Sequence, residues 1–332
     1  MTAAVRYIII GAGAIGGTIG ARLFESGHDV VLVARGAHYL ALRDGGLRFA
    51  TPTGTVTLPI PVADGPQNLD LRQGDVLVLA VKTQDSVAAL DAWSGRPVLG
   101  GGTAAEVLPV VCAQNAVENE RLALRRFRRV YGMCVWLPAS HLEPGVIEAA
   151  GMPLTGILHL GRYPSGTDGT VMRIGADLDD SVFQAPVSGD VMRWKYGKLL
   201  GNLGNALEAL CGPIDGASEL YSRVRAEGAQ VLTAAGIAFT SAEEQRERRG
   251  DLVRLEPVEG VRRGGGSSWQ SLARGTGSIE ADYLNGEIVL LGRQHGVPTP
   301  VNELLQREAG RAAREHRAPG SLTPAALLAL LP

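Results

Sequence analysis

VRYIIIGAGAIGGTIGARLF, residues 5–24, is the stretch that decides the fold. A β-branched run (Val5, Ile8, Ile9, Ile10) passes straight into Gly11-Ala12-Gly13-Ala14-Ile15-Gly16. Ile15, Ile19 and Leu23 then recur at helical spacing. The order is strand, glycine turn, helix. Gly11 permits the tight turn, Gly13 puts no side chain between the backbone and a pyrophosphate, and Gly16 lets the helix lie close to the strand. The first helical turn, with Ala14 and Ile15, offers N–H groups and a partial positive charge to phosphate oxygens. A lone GxGxxG is weak evidence, and a tight βα turn without a ligand can carry it. Between a strand and an amphipathic helix it points to a dinucleotide site.

Composition bounds the rest. A chain of 332 residues exceeds one typical domain, so two are expected. A net charge of -2 gives no general reason to expect nucleic acid or an anionic membrane as partner. Cys112, Cys134 and Cys211 lie far apart, with no CxxC or Cys/His spacing, so buried thiols in a reducing compartment are expected and no metal site. The N-terminus lacks a basic region followed by an apolar core, so no secretory leader is expected and the location is read as cytoplasmic. The apolar end, AALLALLP, is too short to span a bilayer and is expected to dock on the fold or on a second subunit.

Val30–Ala34 reads as a second buried strand, parallel to the first. The next residue selects the cofactor: an Asp or Glu there would hold a ribose 2′-OH, whereas Arg35 attracts a 2′-phosphate, which favours NADPH. A solvated loop arginine is the other reading. Residues 47–49 and 55–58 look like a hairpin, and residues 75–81 and 107–113 like further strands. These two deliver Lys82 and Gln114-Asn115 to the carboxyl edge, where open α/β sheets bind ligands. Lys82 suits cofactor or substrate there, and equally a surface lysine at a strand end. Asn115 suits a bridge between nicotinamide and substrate, and equally a turn. The basic cluster at residues 121–129 lacks aromatic interleaving and is read as a solvated helix end. Residues 130–175 look strand-rich and are expected to finish the sheet, with a loop-rich course over 151–170.

From about residue 190 the period becomes helical. Residues 191–210 read as one helix, with Lys198, Asn202 and Asn205 at i, i+4 and i+7 on one face. A desolvated lysine has a depressed pKa and can donate a proton near neutrality. A solvent-facing polar stripe is the alternative. Further helices are expected over residues 218–235 and 241–249, after Gly264-Gly265-Gly266 with a serine cap, from Ser278 to about Gln294, and from Pro300. Glu280 falls in a first helical turn, where its charge also suits the helix dipole.

GAGAIGG, VKT, QNA, KLLGN, SSWQSLARG, IEADYLNG and HGVPTPVNEL, in this order, resemble the ketopantoate reductase (2-dehydropantoate 2-reductase) family from Tyr7 to about Leu305. The resemblance implies an α/β chain: a Rossmann-type parallel-sheet domain binding NADPH, drawn here as residues 1–187, then an all-α substrate and catalytic domain, residues 188–332. It implies reduction of a 2-oxo acid to its 2-hydroxy acid, with a monomer or homodimer open. By matching positions, Lys198 is the proton donor, Glu280 the carboxylate that positions substrate and lysine, and Ser268 the ligand of the substrate carboxylate. Asn202 faces substrate, Asn115 and Lys82 touch cofactor and substrate, and Arg35 reads the 2′-phosphate.

The chain departs from the family pattern at four places. Ala116 stands where glycine is usual; Ala206 stands where a second asparagine is common, with Asn205 one residue early; Gly265 stands where an asparagine often lies; and Val135–Pro138 is bulky. Retained chemistry with an altered carbonyl or imine substrate is therefore one alternative, and a non-catalytic NADPH-binding protein is another. Retention of both Lys198 and Glu280 argues against the latter.

Overall fold

Arg6–Ile10 (β1) is buried from its second residue on, because Ile8 and Ile10 face one side of a sheet and Tyr7 and Ile9 the other. In the computed structural model, which describes residues 5–213, 217–259 and 264–331, this strand lies inside an eight-stranded sheet. The others are Asp29–Val33 (β2), Val62–Ala63 (β3), Asp75–Leu79 (β4), Pro109–Cys112 (β5), Arg129–Trp136 (β6), Gly156–Arg162 (β7) and Phe183–Gln184 (β8). Their order is β3-β2-β1-β4-β5-β6-β7-β8. All neighbours are parallel except β6 and β7. The chain leaves β1 toward β2 and β3 and returns on the other side as β4, so the direction of winding reverses between β1 and β4.

Register then fixes the edge. Ile10 lies opposite Val33 and Leu79, and Leu79 opposite Cys112. The segments that follow these four residues carry Gly11, Arg35, Lys82 and Asn115, so one end of the sheet collects them. Helices Ala14–Glu25 (α1) and Gly36–Gly45 (α2) follow β1 and β2. Across the sheet, Arg6 donates from Nε (2.9 Å) and Nη2 (2.7 Å) to the fully buried Asp75.

Two compact units result: Met1–Trp194 with Arg246–Val261, and Lys195–Gln245 with Arg262–Pro332. The second is helical. Its chain passes through Val191–Asn202 (α3, from Lys195 on), Asn205–Cys211 (α4), Ser218–Ala234 (α5), Ser267–Ala273 (α6), Asn285–His295 (α7), Pro300–Arg314 (α8) and Pro324–Leu328 (α9). Leu203, Leu207, Leu210, Val224, Ile288 and Leu305 are fully buried there. The C-terminal tail docks on α4: Gly320 N–H donates to Ala209 C=O (3.0 Å), Leu322 N–H to Leu210 C=O (2.9 Å), and Leu327 is buried. Pro332 lies outside the described residues.

Several expectations need correction. The helix expected over 191–210 is two helices, broken at Leu203-Gly204. The stretch 151–170 is not mainly loop, since it holds β7, and Gly169–Asp179 is a helix. The strand expected at 107–113 is shorter, because Ala104–Val107 is a helical turn. The helix expected from Ser278 begins as a 3-10 turn, Glu280–Tyr283, and restarts as α7 after Leu284 turns out of helical conformation. The segment after Gly264 has Gly266, not a serine, at its N-cap.

Candidate active site

The glycine turn is built tightly. Gly11 adopts φ +103°, and a Cβ on it would stand 2.8 Å from Val81 N. A Cβ on Gly16 would stand 2.2 Å from Gly11 C=O, so α1 lies against the turn with no room for a side chain. At Gly13 the same position meets nothing within 4 Å, which leaves open the space that a phosphate needs. Gly11 and Ala12 N–H both donate to Val33 C=O, at 3.1 and 3.0 Å. His38 on α2 holds the turn from outside: its Nε2 lies 2.7 Å from Ala12 C=O, and its Nδ1 accepts from Gly145 N–H at 2.9 Å. Those partners select the Nε2–H tautomer. Arg35, the N-cap of α2, is exposed on the same edge. These residues fit a dinucleotide: an open phosphate berth at a helix N-terminus, and a cation where a ribose would end.

Lys82 is half-buried at the start of a 3-10 turn after β4. The loop after β5 is locked to it. Gln114 donates to Val81 C=O (2.9 Å) and Ser86 Oγ (2.8 Å); Ser86 donates to Asn119 Oδ1 (2.7 Å); Asn119 donates to Thr83 Oγ1 (3.1 Å) and Asn115 C=O (3.0 Å). Asn115 is half-buried, and Ala116 beside it adopts φ 66°. That left-handed conformation accounts for glycine at this place in the family pattern, since an L-residue there costs about 1–2 kcal/mol. Ser86, Asn119 and His38 carry no local motif and were missed in the sequence; only the contacts identify them.

The other predicted residues all fall in the helical unit. Lys198 and Asn202 are half-buried one turn apart on α3, whereas Asn205 opens α4 beyond the break, so the face shared by all three does not exist as expected. Lys195 on α3 is buried as well, which the sequence analysis did not single out. Ser268 is 2% exposed in the first turn of α6, and Glu280 4% exposed in its 3-10 turn. Glu208 on α4 ties α4 to α6 by accepting from Gly266 N–H at 2.9 Å. Gly265 packs under Trp269: a Cβ there would stand 2.6 Å from the indole and 3.0 Å from Glu208 Oε1. The asparagine common at this place in the family therefore has no room, which explains the third departure.

The family model described as Ketopantoate reductase PanE/ApbA matches residues 7–165, and that described as Ketopantoate reductase PanE/ApbA C terminal matches residues 190–311. The chain belongs to the ketopantoate reductase family. It is thus an oxidoreductase with a Rossmann-type NAD(P) fold. Among its relatives, the 2-dehydropantoate 2-reductase of Pyrococcus abyssi is 27% identical over 309 residues, covering 91% of this chain and 95% of that one. The crystal structure of a PanE/ApbA ketopantoate reductase from Ralstonia eutropha is 25% identical with a TM-score of 0.75, covering 94% of this chain and 99% of that one. D-mandelate dehydrogenase, solved with NADH and anilino(oxo)acetate, is 20% identical with a TM-score of 0.76 over 94% of this chain and 98% of its own, and shares the fold. Among the described residues no helix is long and apolar enough to cross a membrane, and no His, Cys, Asp and Glu cluster could hold a metal ion.

Proposed function

We propose that the chain reduces a 2-oxo acid to the 2-hydroxy acid with NADPH, with 2-dehydropantoate as the first substrate to test. The observation that carries the reading is that a half-buried Lys198 and a buried Glu280 both lie inside the unit that the family's C-terminal model matches. Residues 1–187 bind the cofactor and residues 188–332 the substrate. Gly11, Gly13 and the first turn of α1 (Ala14, Ile15, Gly16) hold the pyrophosphate, Arg35 takes the 2′-phosphate, and Lys82 and Asn115 line the sheet edge. NADPH, when bound, supplies a hydride for C2 of the substrate. Ser268 anchors the substrate carboxylate, with Asn202 and Asn205 as amide contacts. As the carbonyl oxygen gains charge, the Lys198 ammonium stabilises it and then transfers a proton to it. Glu280 holds that ammonium and the nascent hydroxyl in line.

The test is NADPH oxidation with 2-dehydropantoate, run beside Lys198→Ala. The expected loss in kcat is on the order of 10²–10⁴-fold, with cofactor affinity unchanged. Full turnover in the variant would discard the mechanism. A second reading, a different carbonyl or imine substrate, is favoured by Gly265, which stands where the family pattern often has an asparagine. Tight cofactor binding without turnover of 2-dehydropantoate by the wild type selects it, and a panel of 2-oxo acids and imines follows.

A further inference from the structure

Within the helical unit, a set of hydrogen bonds converges on one buried amide. Asn285, the first residue of α7, is 0% exposed. Its Nδ2 donates to Leu203 C=O (3.1 Å) and to Asn302 Oδ1 (3.1 Å). Asn302, also fully buried, donates from Nδ2 to Val224 C=O (3.1 Å) and to Glu227 (2.8 Å). The Glu227 carboxylate accepts as well from Val301 and Asn302 N–H, at 3.0 Å each, and so caps α8. Both acceptors of Asn285 are oxygens, so its amide has one orientation; flipped, it would set oxygen against oxygen twice.

Leu203 lies in the break between α3 and α4. In an unbroken helix its carbonyl would accept from residue 207; here it accepts from Asn285. Leu203 follows Lys198 by five residues, and Asn285 follows Glu280 by five. The Leu203–Asn285 bond therefore joins the end of the helix that carries the lysine to the turn that carries the carboxylate, at equal remove from each. Asn302 and Glu227, on α8 and α5, hold the amide from behind.

We propose that Asn285 is a positioning residue, whose bond to Leu203 C=O sets the Lys198 helix against the Glu280 turn. This rests on the catalytic roles proposed above for Lys198 and Glu280. Asn285→Asp keeps the size of the side chain but replaces the donor to Leu203 by an acceptor. The experiment measures kcat and KM for 2-oxo acid against pH, cofactor affinity by fluorescence titration, and melting, in wild type, Asn285→Asp and Lys198→Arg. The guanidinium does not titrate in the working range, so Lys198→Arg removes the limb of the pH profile that belongs to the lysine. Asn285→Asp is expected to lower kcat about a hundredfold, as a small misplacement of reacting groups does. It also moves the lysine limb and leaves cofactor affinity, a property of the other unit, unchanged.

A merely structural role would lower melting temperature and scale kcat equally at every pH with the limb in place, and that result overturns the proposal. An unchanged limb in Asn285→Asp, beside its removal in Lys198→Arg, overturns the positioning role alone. A limb that persists in Lys198→Arg overturns the catalytic assignment and the positioning role with it. Should Asn285→Asp fail to fold, Asn285→Ser retains one donor in a smaller side chain. The expectation is then a smaller shift of the same limb, and no shift overturns the proposal.

Discussion

At the scale of single residues, the proposed choice of NADPH rests on Arg35. The guanidinium sits exposed at the N-cap of α2, with no acidic residue at its position to accept a ribose hydroxyl. Removing a charge-assisted contact of this kind costs about 1.5–3 kcal/mol, so Arg35→Ala is expected to weaken NADPH roughly ten- to a hundredfold and to leave NADH nearly untouched. Fluorescence titration with both nucleotides measures it, and equal losses would remove Arg35 as the reader of the 2′-phosphate. The sequence places this residue because its position is local: it follows a strand, at a fixed offset from a glycine turn. Asn119, Ser86 and His38 were not legible, since each acts on a backbone carbonyl or side chain brought near only by folding. The course over 151–170 was likewise not legible: expected to be loop-rich, it holds β7, where a Cβ on Gly156 would stand 2.8 Å from Trp136 C=O and one on Gly161 2.3 Å from Ser188 C=O. Both glycines serve close packing of buried backbone, not turning.

At the scale of elements, the first strand, turn and helix separate two kinds of glycine by experiment. A Cβ at Gly16 meets Gly11 C=O at 2.2 Å, a backbone atom that cannot swing aside, together with Ile9 and Ala80. Gly16→Ala is therefore expected to destabilise the sheet unit by about 1–3 kcal/mol, the range for overpacked sites, and to lose the cofactor as well. At Gly13 nothing lies within 4 Å. Gly13→Ala is expected to melt like wild type while binding NADPH more weakly, because its methyl enters the space kept for the phosphates. Unchanged NADPH affinity in Gly13→Ala would remove the berth from the description. The helical half was less legible at this scale. Period alone ran α3 and α4 together, since Leu199, Leu203, Ala206 and Leu210 keep apolar spacing through the break. At the break, Leu203 C=O accepts instead from a side chain 82 residues away, that of Asn285.

At the scale of the whole molecule, each unit has its own buried core, and acid strain falls on the sheet unit. His159, on β7, is 1% exposed and stacks on Trp194 (centroids 4.1 Å apart, planes at 18°), with Trp136 edge-on at 4.9 Å. Neither ring nitrogen has a hydrogen-bond partner among the described residues. Arg249 lies over Trp136 at 5.8 Å, and Arg248 adds positive potential at the imidazole. Burial first, and Arg248 second, push the His159 pKa down from 6.5 to about 4. The folded state therefore keeps this ring neutral at a pH where the unfolded chain has already protonated it. Its contribution to stability is constant above about pH 6.5, falls as pH drops toward 4, and levels off below, for a total of about 3 kcal/mol. His159→Phe keeps an aromatic ring between the indoles and removes the titration. Urea unfolding of the two proteins between pH 7 and pH 4 tests this: wild type should lose stability faster than the variant across that interval, and the gap should open between the two pKa values. Parallel curves would mean that His159 reaches water or a partner when it takes up a proton, and the neutral buried ring would have to be given up.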